Sequence, residues 1–195
     1  MIKLLTLNDI DDIKNLLNTI NTVTGESMDS IDPITQKTRK NSIIDFIVTS
    51  CLAWNSPFKR TIGWYHNGEL KAVMIQDFSM TVKAWLIVIY FSSCGSLLGR
   101  IAGGECLDFA IEEAERLNYY EYYRVVESSK YKAFNKFAIS KLRHRYELVA
   151  DELVPCYEKP MTTLAWEWLF RGQSKTVDVV IVKGVLKQEF RPNII

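Results

Sequence analysis

Apolar residues recur along this chain with two periods, and the switches between them outline its elements. Ile2 to Leu7 is a short strand-like stretch, after which Asn8 or Asp9 stands in position to cap a helix. Ile10, Ile13, Leu16, Leu17, Ile20 and Val23 then fall at helical spacing. The polar segment from Thr24 to Pro33 interrupts the pattern. A second helix is expected from Ile34 to Trp54, with Ile43, Ile44, Ile47, Val48, Cys51 and Leu52 inward and Asn55-Ser56-Pro57 as its stop. Strand periodicity takes over at Thr61 to His66, turns at Asn67-Gly68, and resumes over Leu70 to Phe78 and Val82 to Phe91. Two runs joined by Asn-Gly are the strongest short-range hairpin signal, so these three segments read as an antiparallel meander.

The third of those strands leads into the most informative part of the chain. From Ala84 to Asn118 an apolar run passes through a Gly/Ser turn into an amphipathic helix. Leu107, Ala110, Ile111, Ala114 and Leu117 lie on one face, with Asp108, Glu112, Glu115 and Arg116 on the other, which predicts a helix from Gly103 or Gly104 to Leu117. Glycines at a helix start allow an anion to approach backbone N–H groups that have no intrahelical partner, where the macrodipole adds positive charge. Beyond it, Tyr119 to Val126 reads as a strand, Lys130 to Arg145 as a helix, and Tyr146 to Val154 and Val177 to Leu186 as strands. Cys156 to Lys175, with Trp166 and Trp168, is a loop or a short helix. The order β α α β β β α β α β β fits a single domain over residues 1–195, of the α/β (α+β layered) class.

Composition narrows the field. With 24 Lys+Arg against 23 Asp+Glu there is no basic excess, and none of the footprint of a general nucleic-acid binder. The four cysteines, Cys51, Cys94, Cys106 and Cys156, form no CxxC pair, and His66 and His144 are the only histidines, so no metal site is expected. The longest apolar run, Trp85 to Phe91 with Ala84, is too short to cross a bilayer, and the N-terminus has no signal-peptide core. A soluble cytoplasmic protein with reduced thiols, bound to neither membrane nor nucleic acid, is the expectation.

The order of elements, with a glycine turn between the fourth strand and the third helix, resembles the GCN5-related N-acetyltransferase (GNAT) family. Arg100-Ile101-Ala102-Gly103-Gly104-Glu105 is similar to that family's Arg/Gln-x-x-Gly-x-Gly/Ala pyrophosphate turn, with Glu105 where the last small residue stands. Asn135-Lys136-Phe137-Ala138 is similar to its Asn-x-x-Ala helix motif, but the tyrosine four residues on is Leu142 here; anchoring on Ala133 instead places Phe137 there. The resemblance implies a mixed, mostly antiparallel sheet of about seven strands flanked by helices. It implies an acyltransferase that moves an acetyl group from acetyl-CoA to a small-molecule or protein amine, with a homodimer as a possible assembly. The Ile87 to Phe91 backbone, in particular Ile89, Tyr90 and Phe91, would then hold the thioester arm. Gly99, Arg100, Ile101, Ala102, Gly103 and Gly104 would hold the pyrophosphate, with Asn135 as a further cofactor contact. Glu105 would bring a carboxylate against the diphosphate.

Transfer to an amine needs a base for the ammonium proton and a donor for the departing thiolate. Asp77 and Glu127 are the candidate bases, both expected at the open end of the sheet, and Tyr131 is the candidate acid. Solvated strand-end carboxylates and a core-packed tyrosine are the structural alternatives for these positions. Glu105 and the absent helix tyrosine keep a second function class in view, a non-catalytic binding or assembly module on the same fold.

Overall fold

A computed structural model describes residues 1–23, 26–31, 36–52, 58–79, 83–127, 138–155 and 178–191. Strand β1 (Ile2–Leu4) leads through a single 3-10 turn, Leu7–Asp9, into α1 (Ile10–Asn18). Asp9 stands at the N-cap of α1 as expected but makes no capping bond there; the capping bonds are made a turn earlier, where the Thr6 hydroxyl accepts from the Asn8 N–H at 3.3 Å and the Thr6 N–H donates to Asp9 Oδ2 at 2.8 Å. That reciprocal arrangement satisfies orphan donors at the helix start. The helix ends earlier than the apolar spacing suggests, because Thr22–Val23 (β2) pairs with Glu26–Ser27 (β3) in a small ribbon. Helix α2 (Arg39–Phe46), capped by the Thr38 hydroxyl, continues as a wider π-helical stretch over Ile47–Leu52.

The meander is present as β4 (Lys59–His66), β5 (Glu69–Phe78) and β6 (Ala84–Ser92). Asn67 and Gly68 both have positive φ, 52° and 82°, the backbone of the turn that matches the twist of a two-residue hairpin. Helix α3 (Ser96–Arg116), β7 (Glu121–Glu127), α4 (Ser140–Arg145), β8 (Tyr146–Pro155), β9 (Asp178–Leu186) and a last 3-10 turn, Gln188–Phe190, complete the described elements. Seven strands form one sheet in the order β1-β4-β5-β6-β7-β9-β8, antiparallel throughout except for the β6–β7 pair. The expected mixed, mostly antiparallel seven-stranded sheet is therefore found.

Each face of the sheet buries its own core. Leu16 and Leu17 of α1, Ile43 and Phe46 of α2 and Ile47 of the π-helical stretch pack on Val73, Ile75, Leu86, Val88, Ile89 and Phe91. On the opposite face Ala102, Cys106, Leu107, Ala110 and Ile111 of α3, Leu142 of α4 and Ile139 just before it pack on Met74, Trp85, Ile87, Tyr122 and Val182. Strand β6 supplies both cores by alternation, and that alternation slips once. Ile75 pairs with Ile89 but Gln76 pairs with Ile87, so Val88 is an extra residue, and Val88 and Ile89 face the same way. This bulge turns Tyr90 onto the α3 face, where regular alternation would have placed it under α1.

Candidate functional site

Strands β6 and β7 part company almost at once. They share two rungs, Ala84↔Glu121 and Trp85↔Tyr122. Beyond these β6 keeps its partner β5 up to Ser92, and β7 keeps β9 up to Glu127. A wedge therefore opens between the two strands toward the C-terminal end of β6. A strand edge without a neighbour presents N–H and C=O groups to whatever enters beside it. Among the described residues an inner strand of the sheet, besides its outer edges β1 and β8, here has a free side for an extended ligand.

The wide end of the wedge meets the start of α3. The helix begins at Ser96, seven residues before Gly103, so the expected start at Gly103 or Gly104 is corrected. Ser92 and the turn Ser93-Cys94-Gly95 bend the chain, with the Cys94 N–H donating to Ser92 Oγ at 3.0 Å. Gly95 caps with extended backbone and has no side chain to offer. Gly99 N–H donates to Gly95 O at 2.8 Å, closing the first helical turn. The N–H groups of Ser96, Leu97 and Leu98 precede it and have no intrahelical acceptor. Gly95, Ser96 and Leu97 are exposed. Sequence reasoning missed this start because the glycines drew attention forward, although Leu98, Ala102 and Cys106 carry the apolar spacing back by a turn and more.

The residues of the glycine run serve the helix interior. Ala102, Gly103 and Gly104 are buried against neighbouring elements, and Gly104 O accepts from Lys141 Nζ of α4 at 3.1 Å. Arg100 and Ile101 are exposed. Glu105, expected to oppose a diphosphate, lies in the third turn of α3, where its Oε2 accepts the Trp64 indole N–H at 2.7 Å. Trp64 in turn stacks on His66, ring centroids 5.4 Å apart. That carboxylate is committed to the β4 side of the helix, two turns from the exposed N–H groups.

The strand residues named from the sequence divide by face. Ile89 and Phe91 are buried under α1 and α2. Tyr90 donates its hydroxyl to Gly99 O at 2.7 Å, tying the end of β6 to the first turn of α3, and burial pushes its phenol pKa to about 12. Asp77 is not at the open end. It sits opposite Leu86, next to the closed rungs of the wedge, because β5 runs antiparallel to β6 and its last residues meet the first of that strand. Burial raises the Asp77 pKa, opposed by the charge of Lys59 and by the Phe78 N–H, which donates to its Oδ1 at 2.9 Å. Glu127 closes β7 opposite Val179, at the wide end of the wedge. Tyr131 and Asn135, like Trp166 and Trp168, lie outside the described residues. Burial likewise holds the thiols of Cys51 and Cys106 in their protonated form, raising both to about 12.

No family model matches the chain, and no curated protein matches it by sequence. Solved structures do match its fold. An N-acetyltransferase from Staphylococcus aureus Mu50 superposes with a TM-score of 0.57 at 20% identity, covering 94% of this chain and 95% of that one. An acetyltransferase of the GNAT family from Streptococcus pneumoniae gives 0.57 at 13% identity, covering 96% and 99%. The ribosomal-protein-S18-alanine N-acetyltransferase of Escherichia coli gives 0.55 at 12% identity, covering 100% and 97%. The chain has the GNAT fold, over essentially its whole length.

Proposed function

We propose that this chain is a divergent acyl-CoA-dependent N-acetyltransferase acting on a small-molecule or protein amine. The observation that carries the reading is the wedge between β6 and β7 opening onto an exposed helix start that has no side-chain cap. An extended arm ending in a diphosphate needs both features side by side, a strand edge for its amides and oriented N–H donors for its charge. The residues present fit such a group, since Glu105 is turned away from the helix start and bonded to Trp64.

Under this reading the N–H groups of Ser96, Leu97 and Leu98 hold the pyrophosphate, and Gly99 keeps the first turn free of side-chain bulk. Arg100, on the exposed side of the same turn, adds its charge. The edge of β6 from Ile87 to Phe91 holds the pantetheine arm, and Asn135 remains a candidate contact. Acetyl-CoA, when bound, supplies the activated acyl group. Glu127 is the first candidate to take the proton from the acceptor nitrogen, because it ends β7 at the wide end of the wedge. Asp77 is the second, set back by its place at the closed end. Tyr131 is the candidate proton donor to the departing sulfur. A cytoplasmic setting suits this chemistry, and among the described residues no helix is long and apolar enough to cross a membrane.

One observation favours the non-catalytic alternative. Leu142, at the position where the Asn135-to-Ala138 register calls for the helix tyrosine, is fully buried in the α3–α4 core and carries no proton to give. Titrating acetyl-CoA by calorimetry, then following amine-dependent release of free thiol, separates the readings. The enzyme reading expects saturable binding and turnover with at least one amine. Binding without turnover across a broad amine panel supports the module, and no binding at millimolar acetyl-CoA removes the cofactor from both.

A further inference from the structure

The wedge and the start of α3 come from separate elements, yet a single extended ligand has to meet both. No side chain caps the helix, so its first turn takes its position from other contacts. Two of these are local. The Cys94 N–H closes the preceding turn on Ser92 Oγ at 3.0 Å, and the Gly99 N–H closes the first helical turn on Gly95 O at 2.8 Å. Neither sets how far the helix start stands from the edge of β6. The Tyr90 hydroxyl does, donating from the strand to Gly99 O at 2.7 Å. A helix carbonyl that accepts the N–H four residues on keeps a second lone pair, and this is the one Tyr90 uses.

The slip in β6 makes that bond possible. The extra residue, Val88, turns Tyr90 onto the α3 face, where it packs half-buried against the core. Gly99 also lies close to the turn, since a Cβ there would stand 3.4 Å from Cys94 O and 3.8 Å from Ser92 Oγ. The first turn of α3 is thus held by the phenol and by the Ser92-to-Cys94 turn together. Burial pushes the phenol pKa up to about 12, so Tyr90 remains a neutral donor throughout the physiological range.

We propose that Tyr90 is a positioning residue of the acyl-CoA site, its hydroxyl fixing the spacing between the β6 edge and the α3 N–H groups so that one ligand engages both. The proposal rests on the acetyl-CoA reading of the wedge. A ligand that spans two sites loses affinity when their spacing relaxes, whereas a ligand confined to one of them does not. Tyr90→Phe removes the hydroxyl and keeps the ring. The probes are acetyl-CoA, which spans both parts, and ADP, which has the diphosphate but no pantetheine arm, each titrated by calorimetry into wild type and variant. In Tyr90→Phe, acetyl-CoA affinity is expected to fall roughly five- to tenfold while ADP affinity holds within about twofold. Amide exchange at Gly99 and Gly103 is expected to quicken, with an unchanged thermal midpoint. Equal acetyl-CoA affinity in the two proteins, or unchanged exchange at the helix start, overturns the proposal and leaves the acetyl-CoA reading standing. An equal loss for ADP, or a thermal midpoint that falls with both affinities, makes Tyr90 a structural residue and overturns it as well. A wild-type chain that binds acetyl-CoA but not ADP takes the diphosphate away from the helix start and overturns the proposal. Binding of neither ligand removes the acetyl-CoA reading and the role of Tyr90 with it.

Discussion

Glu105 and Asp77 are both carboxylates that sequence position made suspect, and tertiary contacts give each a different meaning. Glu105 reads as an obstacle to a phosphate only if the helix starts at Gly103; with the start at Ser96 its neighbour is the Trp64 indole. Asp77 is buried beside Lys59, and burial raises its pKa, so folding disfavours its charged form relative to the unfolded chain. The linkage has a definite sign. Below the unfolded value near 3.8 the group is protonated in both states and costs nothing. As pH rises through the higher folded value, the unfolded chain ionises more easily and stability is lost. Asp77→Asn keeps the acceptor for the Phe78 N–H and removes this cost. It is expected to raise stability at neutral pH by on the order of 1 kcal/mol. The gain should fade toward about pH 3, which chemical denaturation of both proteins across pH would measure. No pattern in the sequence told which side of β5 would be dry, because alternation gives the face and not what covers it.

At the scale of elements, the turn chemistry was legible and the helix start was not. Asn67-Gly68 makes its hairpin locally, from backbone preferences alone. The start of α3 depends on Ser92 and Gly95, neither of which is a strong signal without the strand that delivers them. Two substitutions separate the interior glycines from the exposed donors. Ser96→Pro puts proline at the first helical position, which tolerates it, and deletes one orphan N–H. Its thermal midpoint is expected to hold within the equivalent of about 0.5 kcal/mol, while acetyl-CoA affinity by calorimetry falls roughly five- to tenfold. Gly104→Ala places a methyl 3.1 Å from Lys141 Cε, the far end of a flexible side chain. That variant is expected to be neutral or stabilised by up to about 1 kcal/mol, with unchanged acetyl-CoA affinity. A loss of affinity in Gly104→Ala with none in Ser96→Pro would return the anion site to the glycine run.

For the molecule as a whole, the sheet is shared by two cores, and both faces of β6 belong to the same backbone. Leu17 under α1 and Leu107 under α3 are each fully buried, on opposite sides. Truncating either to alanine is expected to cost about 2–5 kcal/mol. Calorimetric unfolding of both variants should stay a single transition, since neither core survives loss of the strands that carry the other. Two resolved transitions in either variant would instead divide the chain into separate folding units.

Periodicity and turn residues determined by themselves the strands of the main sheet and their order along the chain, because those preferences act over a few residues; the small β2–β3 ribbon and the start of α3 were not among what they gave. Only the tertiary structure decided that β6 and β7 part after Trp85–Tyr122, that Val88 is an extra residue, and that Glu105 serves Trp64. Each of these depends on the register of strands and helices far apart in the chain, and register is set by how two cores fill on either side of one sheet.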